Sequence, residues 1–377
     1  MRAYYFLLIT MGFHAAAGQT AKPAVQAGAA EFLRAGVAAQ EHGDNRSAIE
    51  NFRKALALQP KMVEARAGLG EALAATGQFD EAIEQDLQAL AVAPDKNAVR
   101  KNLATAYFKK GDLPNARAQG EALHAAEPRD VAAAVLLGTV YIKMGRDAEA
   151  VDLLAPLEQG HETDMDLEYV LSFSLIQTGR DKEGVPRMEK VAQARHSASA
   201  YVIAGASHLH NGEMIAARTD LDGAMSLDPT IPGLATMAGQ ARYAMRDMAA
   251  ATAAFKVALR ANPADPTANL DLGAIRLTAG DYADARPLLE FALQLQPKVP
   301  LARMEMAKLD TVTGRYVEAA AILEDLVKDE PNWVDAHWEL ASVYTELNRP
   351  EEGRRERLIS QQLRAKAQDA PKDHNTQ

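Results

Sequence analysis

Residues 63–96 read VEARAGLGEALAATGQFDEAIEQDLQALAVAPDK, and this stretch sets the plan of the whole chain. From Ala65 to Thr76 the apolar residues recur at helical spacing, and the run stops at Gly77. A glycine just past a helix terminates it in the left-handed conformation at little cost. After a short turn a second amphipathic run, Asp80-Glu-Ala-Ile-Glu-Gln-Asp-Leu-Gln-Ala-Leu90, begins, and Pro94 closes it because proline cannot continue a helix. The stretch therefore reads as helix, turn, helix, stop.

The same unit recurs outward in both directions. Prolines fall every 34 residues at Pro60, Pro94 and Pro128, and again at Pro229, Pro263, Pro297 and Pro331. The gap between the two groups accommodates three more units, one of them a residue short, so ten frames start at residues 29, 63, 97, 131, 165, 198, 232, 266, 300 and 334. Position eight of the frame is small throughout: Gly36, Gly70, Ala104, Gly138, Ser172, Gly205, Gly239, Gly273, Ala307 and Ala341. Position twenty is Ala in eight frames and Gly184 and Gly353 in the others. Position fifteen is Gly in eight, with Arg246 and Asn348 as the exceptions. Small residues at eight and twenty let the two helices of a unit approach closely. Asn348 tolerates the left-handed turn that follows the first helix, whereas Arg246 implies mild strain or a different turn.

This pattern resembles the tetratricopeptide repeat: small residues at eight and twenty, a turn glycine and a closing proline over about residues 29–362. The resemblance implies an all-α fold, an α-solenoid winding as a right-handed superhelix of about ten helix-turn-helix repeats. It also implies that first helices line a concave face that binds peptide segments. There are departures. The family's aromatic at position eleven survives as Tyr107, Tyr141 and Tyr344 but becomes Arg242, Arg276 and Asp310 in three late repeats, where Tyr243 and Leu277 one residue on imply a rotated packing. Glu162 and His196 stand where repeats four and five would have the proline, next to the acidic stretch from His161 to Glu168, where a change of curvature and plain sequence drift are both open.

The resemblance places positions five, nine and twelve of each first helix on the concave face, and these share one side of a helix. In repeats four to six they are Val135, Thr139 and Ile142, then Tyr169, Phe173 and Ile176, then Val202, Ala206 and Leu209. Lys101, Asn102 and Lys109 of repeat three and Lys143 of repeat four supply a polar, mostly basic rim. Two readings stay open: a trough for a segment with apolar anchors and an acidic group, or side chains packing between neighbouring first helices. The family's carboxylate clamp, Lys at five with Asn at nine, is absent, since repeat three has Lys101 but Thr105.

The 377 residues carry 41 Lys+Arg against 51 Asp+Glu, a net charge of −10, with 48% hydrophobic and only 6% aromatic residues. That acidity argues against a nucleic-acid binder, which needs a basic surface to displace counterions. There is no Cys, so disulfides, Cys-ligated metals and Cys nucleophiles are excluded. The N-terminus has Arg2, an apolar core to Phe13, and small residues at Ala15 and Ala17. This is the pattern of a secretory signal peptide over 1–17, cleaved after Ala17 or Gly18. The expected organisation is then a linker over 18–28, the repeat array over 29–367 ending in a polar capping helix, and a disordered tail over 368–377. The product is expected to be exported, periplasmic or secreted, with no transmembrane span.

No P-loop, HExxH, GxSxG or dinucleotide fingerprint is present. His208 and His210, two apart on a helix, point about 200° apart and cannot share one ion. The segment Asp220-Leu-Asp-Gly223 echoes a calcium loop but falls inside a second helix. No catalytic residue, metal site or cofactor is expected. The expected function is a non-enzymatic scaffold that binds protein or peptide segments in the envelope or secreted space. The alternative is a homo-oligomeric structural component of an envelope assembly or polysaccharide-export complex.

Overall fold

The computed structural model describes residues 14–369, with side chains from residue 25 to 368. The expected signal peptide as far as residue 13, and the tail beyond residue 369, lie outside the described residues. The described residues form twenty α-helices, with no β-strand among them. None of these helices is long and apolar enough to cross a membrane.

The chain divides into two compact units, up to Val191 and from Ala192. The first contains α1 (His14–Glu41), α2 (Asn45–Leu58), α3 (Val63–Ala75), α4 (Phe79–Leu90), α5 (Asn97–Lys110), α6 (Leu113–Ala126), α7 (Val131–Lys143), α8 (Asp147–Leu154), α9 (Met165–Gln177) and most of α10 (Asp181–Arg195). The second contains α11 (Ala198–His210), α12 (Met214–Leu227), α13 (Leu234–Ala244), α14 (Met248–Ala261), α15 (Pro266–Thr278), α16 (Tyr282–Leu295), α17 (Pro300–Val312), α18 (Tyr316–Asp329), α19 (Val334–Glu346) and α20 (Pro350–Asp369). Odd-numbered helices are the first helices of the ten frames. Eight of them begin at the first residue of the frame. Helix α13 starts two residues late because Pro232 and Gly233, at φ +80, delay it. Helix α1 starts well before its frame: residues 18–28, expected as a linker, are helical.

Each unit is an α-solenoid. Sequential helices pack antiparallel in pairs, and first helices also touch each other, α3 to α5 to α7 to α9 in one unit and α11 through α13, α15 and α17 to α19 in the other. Aspartates open several of the helices: Asp130 accepts from Ala133 N at 3.1 Å and Asp265 from Ala268 N at 2.9 Å, satisfying amides that lack an intrahelical partner. Gly145 closes α7 at φ +68, and Arg246 takes the same left-handed turn at φ +64, so its repeat accepts strain rather than a different turn.

The frame's small residues have definite partners. A Cβ on Gly36 would stand 2.6 Å from the Phe52 ring, and one on Gly138 2.8 Å from Leu154. Gly205 meets Leu221, Gly239 meets Phe255 and Gly273 meets Leu289 in the same way. In these repeats position eight is thus small because the side chain at position twenty-four of the same repeat fills its space. Position twenty is small because it abuts the first helix's backbone: a Cβ on Gly184 would stand 2.8 Å from the Ser172 carbonyl oxygen, and one on Gly353 3.1 Å from that of Ala341. The core is accordingly built from alanines, leucines and two fully buried phenylalanines, Phe52 and Phe255.

Position eleven joins neighbouring repeats. Tyr141 donates to Glu121 at 3.1 Å beneath the Arg146 guanidinium, and Tyr344 donates to Glu324 at 2.9 Å beneath Arg349. Where position eleven is Arg242, an ion pair with Asp222 at the equivalent position replaces the phenol. Where it is Asp310, Arg286 approaches at 2.8 Å from the previous repeat. Arg276 instead pairs within its own repeat, with Asp281 at 2.9 Å, and Tyr243 and Leu277 pack partly buried against the adjoining cores.

Candidate functional site

In the first unit, α5, α7 and α9 present positions five, nine and twelve along a contiguous row of first helices. Val135, Thr139 and Ile142 on α7 and Tyr169, Phe173 and Ile176 on α9 are all half-buried. Val135, Ile142 and Tyr169 rest on a core formed by Ala134, Val151, Leu154, Leu167, Leu171 and Leu175. Thr139 turns its hydroxyl inward, donating to the Val135 carbonyl at 2.7 Å, and Thr105 on α5 does the same to Lys101 at 2.9 Å. Both threonines thereby offer methyl groups rather than free donors. Phe108 at position twelve of repeat three is half-buried as well. It extends the apolar row of repeats four to six by one repeat, in the same register.

Lys101, Lys109 and Lys143 are exposed, and none has an ion-pair partner among the described residues. Lys109 and Lys143 occupy the same register position in the last turns of α5 and α7, where the helix dipole favours a cation. Neighbouring Lys110, by contrast, is held by Asp80 at 2.5 Å. Asn102 is not a free rim donor: its Nδ2 donates to the Ala67 carbonyl at 3.2 Å and ties α5 to α3. In the second unit, Val202, Ala206 and Leu209 on α11 are half-buried, and Val202 and Leu209 rest on a core of Ala217, Leu221, Ala224 and Leu234.

Buried titratable groups serve the joints between helices. Glu168, almost fully enclosed at the start of α9, accepts from Lys190 at 2.8 Å. Asp86 is fully buried with no donor at hydrogen-bonding geometry on either oxygen. Burial, reinforced by the Glu71 charge, pushes its pKa up to about 8, and the nearby Asn102 amide only partly offsets this. Burial also raises Asp271 to about 6, with the Asp265 charge adding to it. His208 pairs with Glu213 and has Asp220 at 3.5 Å, while His210 is exposed. The Asp220–Gly223 segment lies within helix α12.

A family model described as tetratricopeptide repeat matches residues 33–98, 101–158 and 236–300, and a second model of the same description matches 276–338. No curated protein matches the chain. Among solved structures the chain is similar to a tetratricopeptide repeat protein from Parabacteroides merdae ATCC 43184, at 17% identity over 65% of this chain and 97% of that one, with a TM-score of 0.49. It is similar to YrrB, described as a TPR protein with an unusual peptide-binding site, at 19% identity over 47% of this chain and 92% of that one, with a TM-score of 0.41. It is also similar to MamA from Desulfovibrio magneticus RS-1, at 18% identity over 46% of this chain and 97% of that one, with a TM-score of 0.41.

Proposed function

The chain belongs to the tetratricopeptide repeat family, whose arrays are generally non-catalytic scaffolds for protein interaction, and on that premise we propose that its first unit holds a partner segment on the first-helix face of repeats three to five. The observation that carries the reading is the juxtaposition on α5, α7 and α9 of half-buried apolar side chains with three unpaired lysines, in a chain of net charge −10. Apolar anchors would enter between Val135, Ile142, Phe173 and Ile176, and an acidic group would meet Lys101, Lys109 or Lys143. The signal-peptide pattern of residues 1–17 supports an exported scaffold, periplasmic or secreted.

Phe173→Glu tests the reading. Partner capture by the exported chain should be lost while far-ultraviolet circular dichroism is unchanged, because the ring is only half-buried. Undiminished capture would remove the trough. Loss of cooperative folding would assign the ring to packing alone. The alternative, a homo-oligomeric component, is favoured by exposed Leu358 on α20 and by the same apolar row. Light scattering over a hundredfold concentration range separates the two: a constant monomer mass supports the scaffold, and a stable dimer supports the alternative.

A further inference from the structure

Trp338 stands on α19 at position five of repeat ten and is 42% exposed. Two guanidiniums of α20 lie against it, Arg357 with its Cζ 5.5 Å from the ring centroid and Arg364 at 5.3 Å. These arginines are seven residues apart and so share one face of α20. Arg357 occupies position twenty-four of the frame, where the other repeats of the second unit bury Leu221, Phe255, Leu289 and Leu323. Here it is exposed and charged.

The three glutamates at the start of α20 are already engaged. Glu351 is taken by Arg354, Glu352 by Arg349 at 2.5 Å, and Glu356 by His337 at 2.5 Å. Arg355, Arg357 and Lys366 have no carboxylate partner among the described residues, and Arg364 reaches only Asp335, at 3.6 Å, whose side chain is 70% exposed. Two guanidiniums thus lie against one aromatic ring, and Arg357 among them has no carboxylate partner among the described residues. The cation–π contact restrains the two side chains, and guanidiniums match carboxylates as forks. Pre-orientation reduces the ordering cost that usually weakens exposed ion pairs.

We infer that Arg357 and Arg364, clasped on Trp338, form a binding site for an acidic protein segment of the form Glu/Asp-x-Glu/Asp in extended conformation. Both guanidiniums lie within 5.5 Å of one centroid, so they stand no more than about 11 Å apart. An extended chain places alternate side chains on one side at roughly 7 Å, within that reach. This site stands independently of the face proposed in the first unit.

The test is a titration of the full chain, in a Trp333→Phe background so that Trp338 alone reports, with a synthetic Gly-Glu-Gly-Glu-Gly-Glu-Gly peptide and its Gln counterpart. A saturable change in Trp338 emission with the Glu peptide, weakened at least tenfold by Arg357→Met and by added salt, and absent with the Gln peptide, is the expected result. Calorimetry on the unmutated chain provides the same affinity without relying on the fluorescence background. Three results would overturn the inference: no saturable binding of the Glu peptide, equal affinity in an Arg357→Met/Arg364→Met variant of unchanged helicity, or tighter binding of an oligogalacturonate than of the peptide. Loss of the first-unit face through Phe173→Glu should leave this binding unchanged.

Discussion

The carboxylate of Asp86 occupies the space that a side chain on Gly70 would need, as Leu and Phe do against the equivalent glycines of other repeats. It is an ionisable group at an apolar core position, fully enclosed and without a donor on either oxygen. Uncompensated burial of charge is costly, so the group holds its proton instead, and its pKa rises to about 8.

The sign of the resulting pH dependence follows directly. The carboxyl titrates near 3.8 when unfolded and about 8 when folded, so the folded state binds the extra proton between those values. Its contribution is fully present below pH 4 and is lost as pH rises toward 8. Asp86→Asn should therefore match the unmutated chain at pH 4 in urea unfolding and exceed it by about 5 kcal/mol at pH 8 and above. A difference that is constant with pH would contradict the burial of an unpaired acid.

Arg246 and Gly145 share the turn after the first helix, at φ +64 and +68. Only glycine takes that conformation without a Cβ clash. Arg246→Gly should raise stability by about 1 kcal/mol, and Gly145→Val should lower it by roughly 1–2 kcal/mol. Unchanged melting midpoints in both would count against the frame itself.

Asp310 is buried at position eleven of repeat nine, and Arg286 neutralises it at 2.8 Å. Arg286→Met leaves a buried carboxylate with only Arg315, at 3.7 Å, and should cost about 2–4 kcal/mol. Adding Asp310→Tyr, which restores the aromatic found at Tyr141 and Tyr344, should recover most of that loss in chemical denaturation. If the single variant is as stable as the unmutated chain, the charge pair does not carry this joint.

The 34-residue spacing made the helix pairs and their turns legible, because proline, glycine and alanine act locally through backbone conformation and size. What position eight is small for was not legible. The partner lies sixteen residues later, at a position that holds Phe, Leu or Asp against the glycines and Gly120, Met188 or Arg357 in other repeats. For the same reason Asp86 passed as an ordinary polar residue of an amphipathic helix. Nor did the missing aromatic at position eleven disclose that charge pairs, Arg242 with Asp222 and Arg286 with Asp310, link those repeats to the ones before. Asn102 was assigned to the rim from its neighbour Lys101, yet one residue of helix turns it toward Ala67. The Trp338 cluster needed the fold of α20 over α19, which residue spacing does not encode.

Selection of a displayed peptide library against the full chain tests the central claim most directly. The account predicts enrichment of segments that combine large apolar residues with Asp or Glu. It predicts that these segments lose binding to Phe173→Glu and to Lys109→Glu/Lys143→Glu, both with unchanged helicity. Enriched peptides without that composition, or peptides that bind both variants as well as the unmutated chain, would contradict it.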